Sequence, residues 1–198
     1  MKDKKITRKI SQGVYVLTTK NAGCIVDAVS LISASDNPII SVSVMKTNFT
    51  NEAMKQNDIF ALSVIGKNSN GEIIKTFGYN SMRDINKFEN VNTTEIEDIK
   101  VINDSLGYMV CEKIDEIDAE THTLFLGKLI HADKFSDEEE LTYSYFQNHK
   151  EDYIKIKTET GKTAWKCKVC GYVYYGEELP ENYKCPICGV SSEYFEKI

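Results

Sequence analysis

The chain has 198 residues, room for one domain of ordinary size and a very small second one. Hydrophobic residues make up 41% and charged residues 27%, with three prolines and eleven glycines, which excludes a disordered or fibrous chain. Lys and Arg number 24 against 30 Asp and Glu, a net charge of −6, and no segment is basic enough to suggest a nucleic-acid partner.

The N-terminal stretch MKDKKITRKISQG is basic, but the apolar core of a signal peptide does not follow it. No later stretch approaches the roughly 20 apolar residues that span a bilayer, so a cytoplasmic protein is expected. Short runs of β-branched and aromatic residues then recur between polar breaks and predict strands over 14–19, 24–33, 39–45, 59–65, 108–118 and 122–132. Between the third and fourth, residues 50–57 predict a short helix with Thr50 as its cap and Ala53 and Met54 facing inward. A second helix is expected over 72–78, ending at Gly78. Many antiparallel strands with few helices point to a mainly β barrel or sandwich, and no GxGxxG or Walker sequence argues for a βαβ nucleotide fold. Cys24 and Cys111 sit in apolar runs and are expected as buried, unreactive thiols. The acidic run 137–140 reads as a solvated turn.

The composition changes near residue 147, where QNHKEDYIKIKTETGKT is polar, lysine-rich and without apolar periodicity. This divides the chain into a first domain over 1–148, a linker over 149–162 and a C-terminal domain over 163–198. The last segment has too few aliphatic side chains for a core of its own, so a metal must staple it. Its sequence CKVCGYVYYGEELPENYKCPIC places four of the six cysteines, Cys167, Cys170, Cys185 and Cys188, within residues 167–188. Two CxxC turns aimed at one ion complete a tetrahedral thiolate shell, which suits zinc or a single iron. A glycine follows each second cysteine, which permits a left-handed turn and directs backbone N–H groups at the sulfurs.

In the first domain, KTNFTNEA (46–53) puts Lys46, Thr47, Asn48 and Thr50 where a strand ends and a helix begins. Hydroxyls, a basic residue and backbone N–H groups at a helix start suit a phosphate, although the same residues also serve as an ordinary cap and a surface charge.

Two resemblances sharpen these readings. WKCKVCGYVYYGEELPENYKCPICGVSSEYFEKI resembles a rubredoxin domain of the short kind at the end of rubrerythrins, carried by Cys-x-x-Cys-Gly-Tyr, Cys-Pro-x-Cys-Gly and the late Phe195. That resemblance implies one iron held by Cys167, Cys170, Cys185 and Cys188. Residues 10–146 resemble the flavin reductase-like family, an FMN-binding split barrel with short helices, through GVYVLTT, NPIISVSVMKTNFTNEAMKQNDIFALSVI, FGYNSMRDINKF, ETHTLFLGKLIHAD and LTYSYF. The resemblance implies that Lys46, Asn48 and Thr50, with the adjoining Thr47, contact the FMN phosphate region. It likewise places Ser81 and Arg83 at the cofactor or its rim, and His122, the catalytic candidate, near the flavin and the nicotinamide. The family's small polar pair is replaced here by Ala28 and Val29, a proline by Asn37 and a glycine by Met82. Contacts to the ring are therefore expected from backbone atoms, Ser30 or Ser33.

A flavin reductase-like domain followed by a rubredoxin domain is the arrangement of the high molecular weight rubredoxins of anaerobes. It implies an NAD(P)H-dependent oxidoreductase in which FMN accepts hydride and an Fe(Cys)4 centre passes single electrons to an acceptor such as a flavodiiron protein. The family also implies a homodimer. Two other readings remain: a carrier of flavin and iron reduced by a separate enzyme, and a zinc-ribbon binding module.

Overall fold

The computed structural model describes residues 4–154, 163–169, 171–185 and 189–198, and the chain divides into two compact units at Tyr153/Ile154. Strands β1 (Tyr15–Thr19), β2 (Ala22–Val26), β3 (Val29–Ser33), β4 (Ile39–Met45) and β5 (Ile59–Val64) lie in the first unit. A hairpin of β6 (Thr93–Ile96) and β7 (Ile99–Ile102) follows, then the long pair β8 (Gly107–Ala119) and β9 (His122–Lys134). Helices α1 (Phe49–Gln56) and α2 (Gly71–Tyr79) flank β5, and α3 (Tyr143–Asn148) and α4 (Lys150–Tyr153) end the unit.

Seven strands form one antiparallel sheet in the order β2-β1-β5-β8-β9-β4-β3. β2 and β3 therefore stand at opposite edges, yet only Asp27 and Ala28 join them. Three peptide steps reach no more than roughly 11 Å, so the two edges must meet and the sheet must curl into a barrel. Val29 N–H donates to Asp27 O at 2.9 Å to make the corner, and Ser43 N–H donates to Ala28 O at 3.0 Å. The single strand expected over 24–33 is thus two strands, because the apolar alternation runs unbroken through a three-residue turn that changes sheet edge.

Inside the curl, Leu17, Cys24, Val26, Ile40, Val42, Val44, Phe60, Leu62, Cys111 and Phe125 pack into one buried cluster, with Met54 of α1 joining it. Cys24 and Cys111 are buried and form no disulfide. Ala53 and Met54 face inward as expected, but Asn48, not Thr50, caps α1: its Oδ1 accepts the Thr50 N–H at 3.0 Å. α2 runs on to Tyr79, one residue past Gly78.

The β6–β7 hairpin escapes the strand pattern because its TTEI half is mostly polar, with no buried residue. It covers the outer face of β5 and β8, where Ile99 and Val101 pack on Ala61, Tyr108 and Val110. Thr18 Oγ1 donates to Lys100 O at 2.7 Å and Ser63 Oγ accepts the Ile102 N–H at 3.0 Å, fixing the hairpin to the barrel wall. This second cover explains why β5 is buried on both faces. α3 and α4 also go beyond the sequence reading; α4 lies in the stretch 149–162 read as linker, and residues 155–162 are outside the described residues. The acidic run 137–140 is exposed, with Glu139 paired to Lys67 at 2.8 Å.

The second unit is a three-stranded sheet ordered β11-β10-β12, with β10 (Ala164–Cys167) between β11 (Val173–Tyr175) and β12 (Phe195–Lys197).

At the barrel wall, a Cβ on Gly127 would lie 2.4 Å from Phe60 Cζ and 2.7 Å from Cys111 Cβ, a gap too small for any side chain. Gly127→Ala is therefore expected to overpack the core and lower stability by about 1–3 kcal/mol, read as a lower denaturant midpoint with an unchanged slope.

Candidate active site and metal centre

The end of β4 and the start of β9 build one corner of the barrel. Met45 is paired with His122, and the Lys46 N–H donates to Thr121 O at 3.0 Å, so Lys46 and His122 share that corner. Thr121 Oγ1 contacts His122 Nδ1 at 2.8 Å and orients the ring. The chain then turns: Asn48 N–H donates to Met45 O at 3.0 Å, and α1 starts at Phe49. Buried Asn51 secures the helix from below, its Nδ2 donating to Val44 O at 2.9 Å and its Oδ1 facing Thr123 Oγ1 at 3.5 Å. The geometry gathers Lys46, Thr47, Asn48, Thr50 and His122 at one place, with Thr47 exposed and Thr50 buried.

Arg83 joins them from the turn after α2. Its guanidinium pairs with Glu52 in the first turn of α1 and lies 5.0 Å from the centre of the Phe49 ring. Ser81 Oγ accepts the Arg83 N–H at 3.1 Å and shapes that turn. Ser30 and Ser33 sit elsewhere along β3, opposite Ser41 and Ile39. Six residues separate Ile39 from Met45, so Ser33 lies roughly 20 Å along the sheet from the His122 corner.

Several neighbours carry charge that the sequence pattern does not announce. Asp118 Oδ2 accepts from Lys46 Nζ at 2.6 Å, and this bond holds the exposed Asp118 carboxyl below its ordinary value. Asp27, in the barrel-closing corner, is pushed the other way by burial, partly offset by backbone N–H groups and by the charge of His122. Cys24, Lys87 and Glu52 also border the site. Glu52 is part of α1 itself, whereas Cys24 and Lys87 are brought toward it only by the closure of the barrel, which no local pattern announces.

Thr50 provides a test of whether an anionic cofactor group fits here. Its hydroxyl is buried, with the residue 1% exposed, and among the described residues makes no conventional hydrogen bond. The Cys24 sulfur, a weak partner, lies beside it. Buried hydroxyls are almost always partnered. One left over at the N-terminus of an eight-residue helix, where N–H groups and the helix dipole favour negative charge, fits a phosphate oxygen.

In the second unit, Cys167 and Cys185 are buried among Trp165, Tyr172, Tyr174, Tyr183 and Phe195. Cys170 and Cys188 lie outside the described residues. The two described cysteines start equivalent turns. Gly171 N–H donates to Cys167 O and Gly189 N–H to Cys185 O, both at 2.8 Å; the cysteine N–H groups donate to Tyr172 O and Val190 O, also at 2.8 Å. Gly171 and Gly189 have φ of 77° and 70°, the left-handed conformation expected from the sequence. Trp165 Nε1–H donates to Gly176 O at 3.2 Å, while burial and the Tyr172 hydroxyl raise the Tyr183 pKa, keeping that phenol protonated. Soft sulfur donors in paired turns walled by aromatic rings fit a tetrahedral thiolate metal site.

A closed β-barrel with a phosphate-suited helix start, followed in the same chain by a thiolate unit, has the make-up of a two-cofactor redox protein. Residues 7–153 match the flavin reductase like domain, and residues 165–196 match the rubredoxin-like domain of rubrerythrin. The chain belongs to the flavin reductase-like family and carries a rubredoxin-like domain behind it. The two matches support an oxidoreductase with a flavin in the first unit and iron in the second. The chain is similar to the high molecular weight rubredoxin of Moorella thermoacetica, 29% identical over 99% of this chain and 100% of that protein. It is also similar to a ferric-chelate reductase (NAD(P)H) of Archaeoglobus fulgidus, 30% identical over 79% of this chain and 92% of the relative. Among solved structures, the NADH:FAD oxidoreductase of Streptomyces globisporus C-1027 superposes with a TM-score of 0.62 at 18% identity, covering 72% of this chain and 90% of that one. A flavin reductase complexed with NADP+ gives 0.61 at 22% identity, covering 71% and 90%. These likenesses establish the split-barrel fold of the first unit.

Two outcomes follow from the site. Asn48→Ala removes the α1 cap and is expected to cost about 1 kcal/mol in thermal or denaturant unfolding, whereas exposed Thr47→Ala changes stability by less than about 0.5 kcal/mol. Cys185→Ser is expected to abolish stoichiometric metal in elemental analysis and to collapse the near-ultraviolet dichroism of the aromatic cluster around it. The far-ultraviolet β signal of the first unit should persist, because that unit has its own core.

Proposed function

We propose that the protein is an NAD(P)H-dependent oxidoreductase that delivers electrons, through FMN and an Fe(Cys)4 centre, to an acceptor protein such as a flavodiiron protein that removes oxygen or nitric oxide. The observation that carries this reading is the buried Thr50 hydroxyl at the start of α1, which among the described residues has no conventional hydrogen-bond partner, in the same chain as the paired cysteine turns. The phosphate-suited corner favours a mononucleotide flavin held by Lys46, Thr47, Asn48 and Thr50, with Ser81 and Arg83 at the rim and Ser30 and Ser33 along β3. The rubredoxin-like match supports Cys167, Cys170, Cys185 and Cys188 as the iron ligands. The flavin supplies the exchange between a two-electron hydride donor and a one-electron centre, which thiolate-bound iron alone cannot perform.

The chain's own residues have separate tasks. Asn48 and Thr50 hold the anionic end of the flavin, and Lys46 must loosen its pairing with exposed Asp118 to add its charge there. Arg83, held against Phe49 by Glu52, closes the rim over that end. His122, oriented by Thr121, is placed at the mouth of the corner where a nicotinamide would stand, and its role is positional, since hydride transfer requires no proton. The aromatic cluster keeps water from the thiolates.

Apolar side chains are exposed on the β3 edge at Leu31 and Ile32 and on the β8 arm at Ile114 and Ile117. Such residues favour burial against a second copy, in keeping with a homodimer. Among the described residues no helix is long and apolar enough to cross a membrane.

Anaerobic mixing of the purified, cofactor-loaded protein with NADH or NADPH tests the central claim. The expected result is rapid loss of both flavin and ferric-thiolate absorbance without any added reductase. Bleaching only after an outside reductase is supplied would show a carrier instead, and one zinc per chain with no ferric colour would show a binding module.

A further inference from the structure

Lys87 is a cation inside the protein. It is 3% exposed, and its Nζ donates to Gly23 O on β2 at 2.9 Å and to Phe77 O in the last turn of α2 at 3.0 Å. Among the described residues it has no ion pair with a carboxylate. The carbonyl end of α2 supplies the negative potential that makes a buried ammonium tolerable there. These two bonds tie the turn 80–92, which carries Ser81 and Arg83, to the barrel wall. The turn is also closed on itself, since the Lys87 N–H donates to Met82 Sδ at 3.4 Å.

The wall at that point is Cys24, next in sequence to Gly23. Its side chain meets the charge of Lys87 and the side chains of Thr50 and Asn48, so it stands between the buried cation and the N-terminus of α1. Leu17, Val26, Val42, Val44 and Met54 pack in the same cluster as Cys24. A charge separated from the anion corner by such a layer is poorly screened by solvent.

We propose that Lys87 is a positioning cation of the flavin site: it clamps the turn bearing Ser81 and Arg83 to β2 and, across Cys24, supplies positive charge behind Thr50 and Asn48. Its proton and a phosphate bound at the start of α1 therefore favour one another. This inference rests on the flavin reading above.

The surroundings define which group titrates. β2 presents Gly23 O and, next to it, Cys24, and α2 presents Phe77 O and the Phe77 ring, whose centre is 5.8 Å from Nζ. Lys100 of β7 lies 5.0 Å from the Phe88 ring, and that ring is 5.4 Å from Phe77. Of these, Cys24 is the titratable neighbour of Lys87. Burial raises the Cys24 thiol pKa, so it stays neutral, while burial pulls the Lys87 pKa down to about 8. The sign is then fixed. A bound phosphate raises the Lys87 pKa, so the complex holds more protons than the free protein above that value, and affinity falls as pH rises.

The test is FMN affinity of the full chain, iron in place, measured by flavin fluorescence across alkaline pH. The dissociation constant is expected to rise roughly tenfold from pH 8 to roughly pH 9.5. Lys87→Met and Lys87→Gln are expected to bind more weakly at pH 8 and to lose the slope. Riboflavin, which lacks the phosphate, should show no slope with the unmodified protein. Calorimetry at pH 8 in buffers of different ionisation enthalpy should show net proton uptake on FMN binding, a measurement that needs no variant. A flat FMN profile, a slope shared by riboflavin or kept in the variants, or binding without proton uptake would overturn the Lys87 inference and leave the flavin reading intact. Failure to bind FMN at any pH would overturn both.

Discussion

Closure of the first unit depends on one short constraint: Asp27 and Ala28 must carry the chain from one edge of a seven-stranded sheet to the other. An open sheet of this order would hold β2 and β3 several strand spacings apart, each spacing about 4.8 Å. Two residues cannot bridge that gap, so the curl is required by connectivity before any side chain packs. Packing then reinforces it. Phe60, Leu62, Phe125 and Met54 fill the interior, and Gly127 gives up a side chain where Phe60 and Cys111 already occupy the space.

The same closure assembles the site. Lys46 to Thr50 follow directly from β4, but Cys24 and Asp27 come from the other edge of the sheet, and they meet α1 and His122 respectively only because that edge has been brought round. The site is therefore built at the seam of the barrel. This location explains its polar excess: backbone groups at a seam lack regular ladder partners, and helix starts, turns and side chains such as Asn48 and Asn51 satisfy them instead. Thr50 is the hydroxyl left over.

Much of this was legible in the chain itself, in proportion to how local the signal was. Cysteine spacing and the following glycines foretold the twin turns of the second unit because the turn conformation is decided within a few residues. The alternation of β1, β4, β5, β8 and β9 was equally plain. The break within residues 24–33 was not, since Asp27 and Ala28 interrupt no apolar period and bear no Gly or Pro. The β6–β7 hairpin was hidden for a related reason: TTEIEDIK reads as polar until Ile99 and Val101 find Ala61 and Val110 far away in sequence. Thr50 was singled out from the residue types at a strand-to-helix junction, although Asn48 performs the capping. Lys87 had no local signal, because a lysine between Asn86 and Phe88 looks like any surface charge; its burial is a tertiary fact.

The two cysteine turns share the same backbone bonds but not the same support. Cys167 ends β10, which is hydrogen-bonded to β11 on one side and β12 on the other. Cys185 begins a turn whose flanks, among the described residues, meet through the isolated bridge between Lys184 and Ser191. Cys167 is thus carried by a sheet, whereas Cys185 stands beside a single bridge. In mechanical terms a metal shared by the two would act as a rivet between a fixed plate and a hinged one, and with fewer backbone bonds around it the Cys185 side is the one expected to open first.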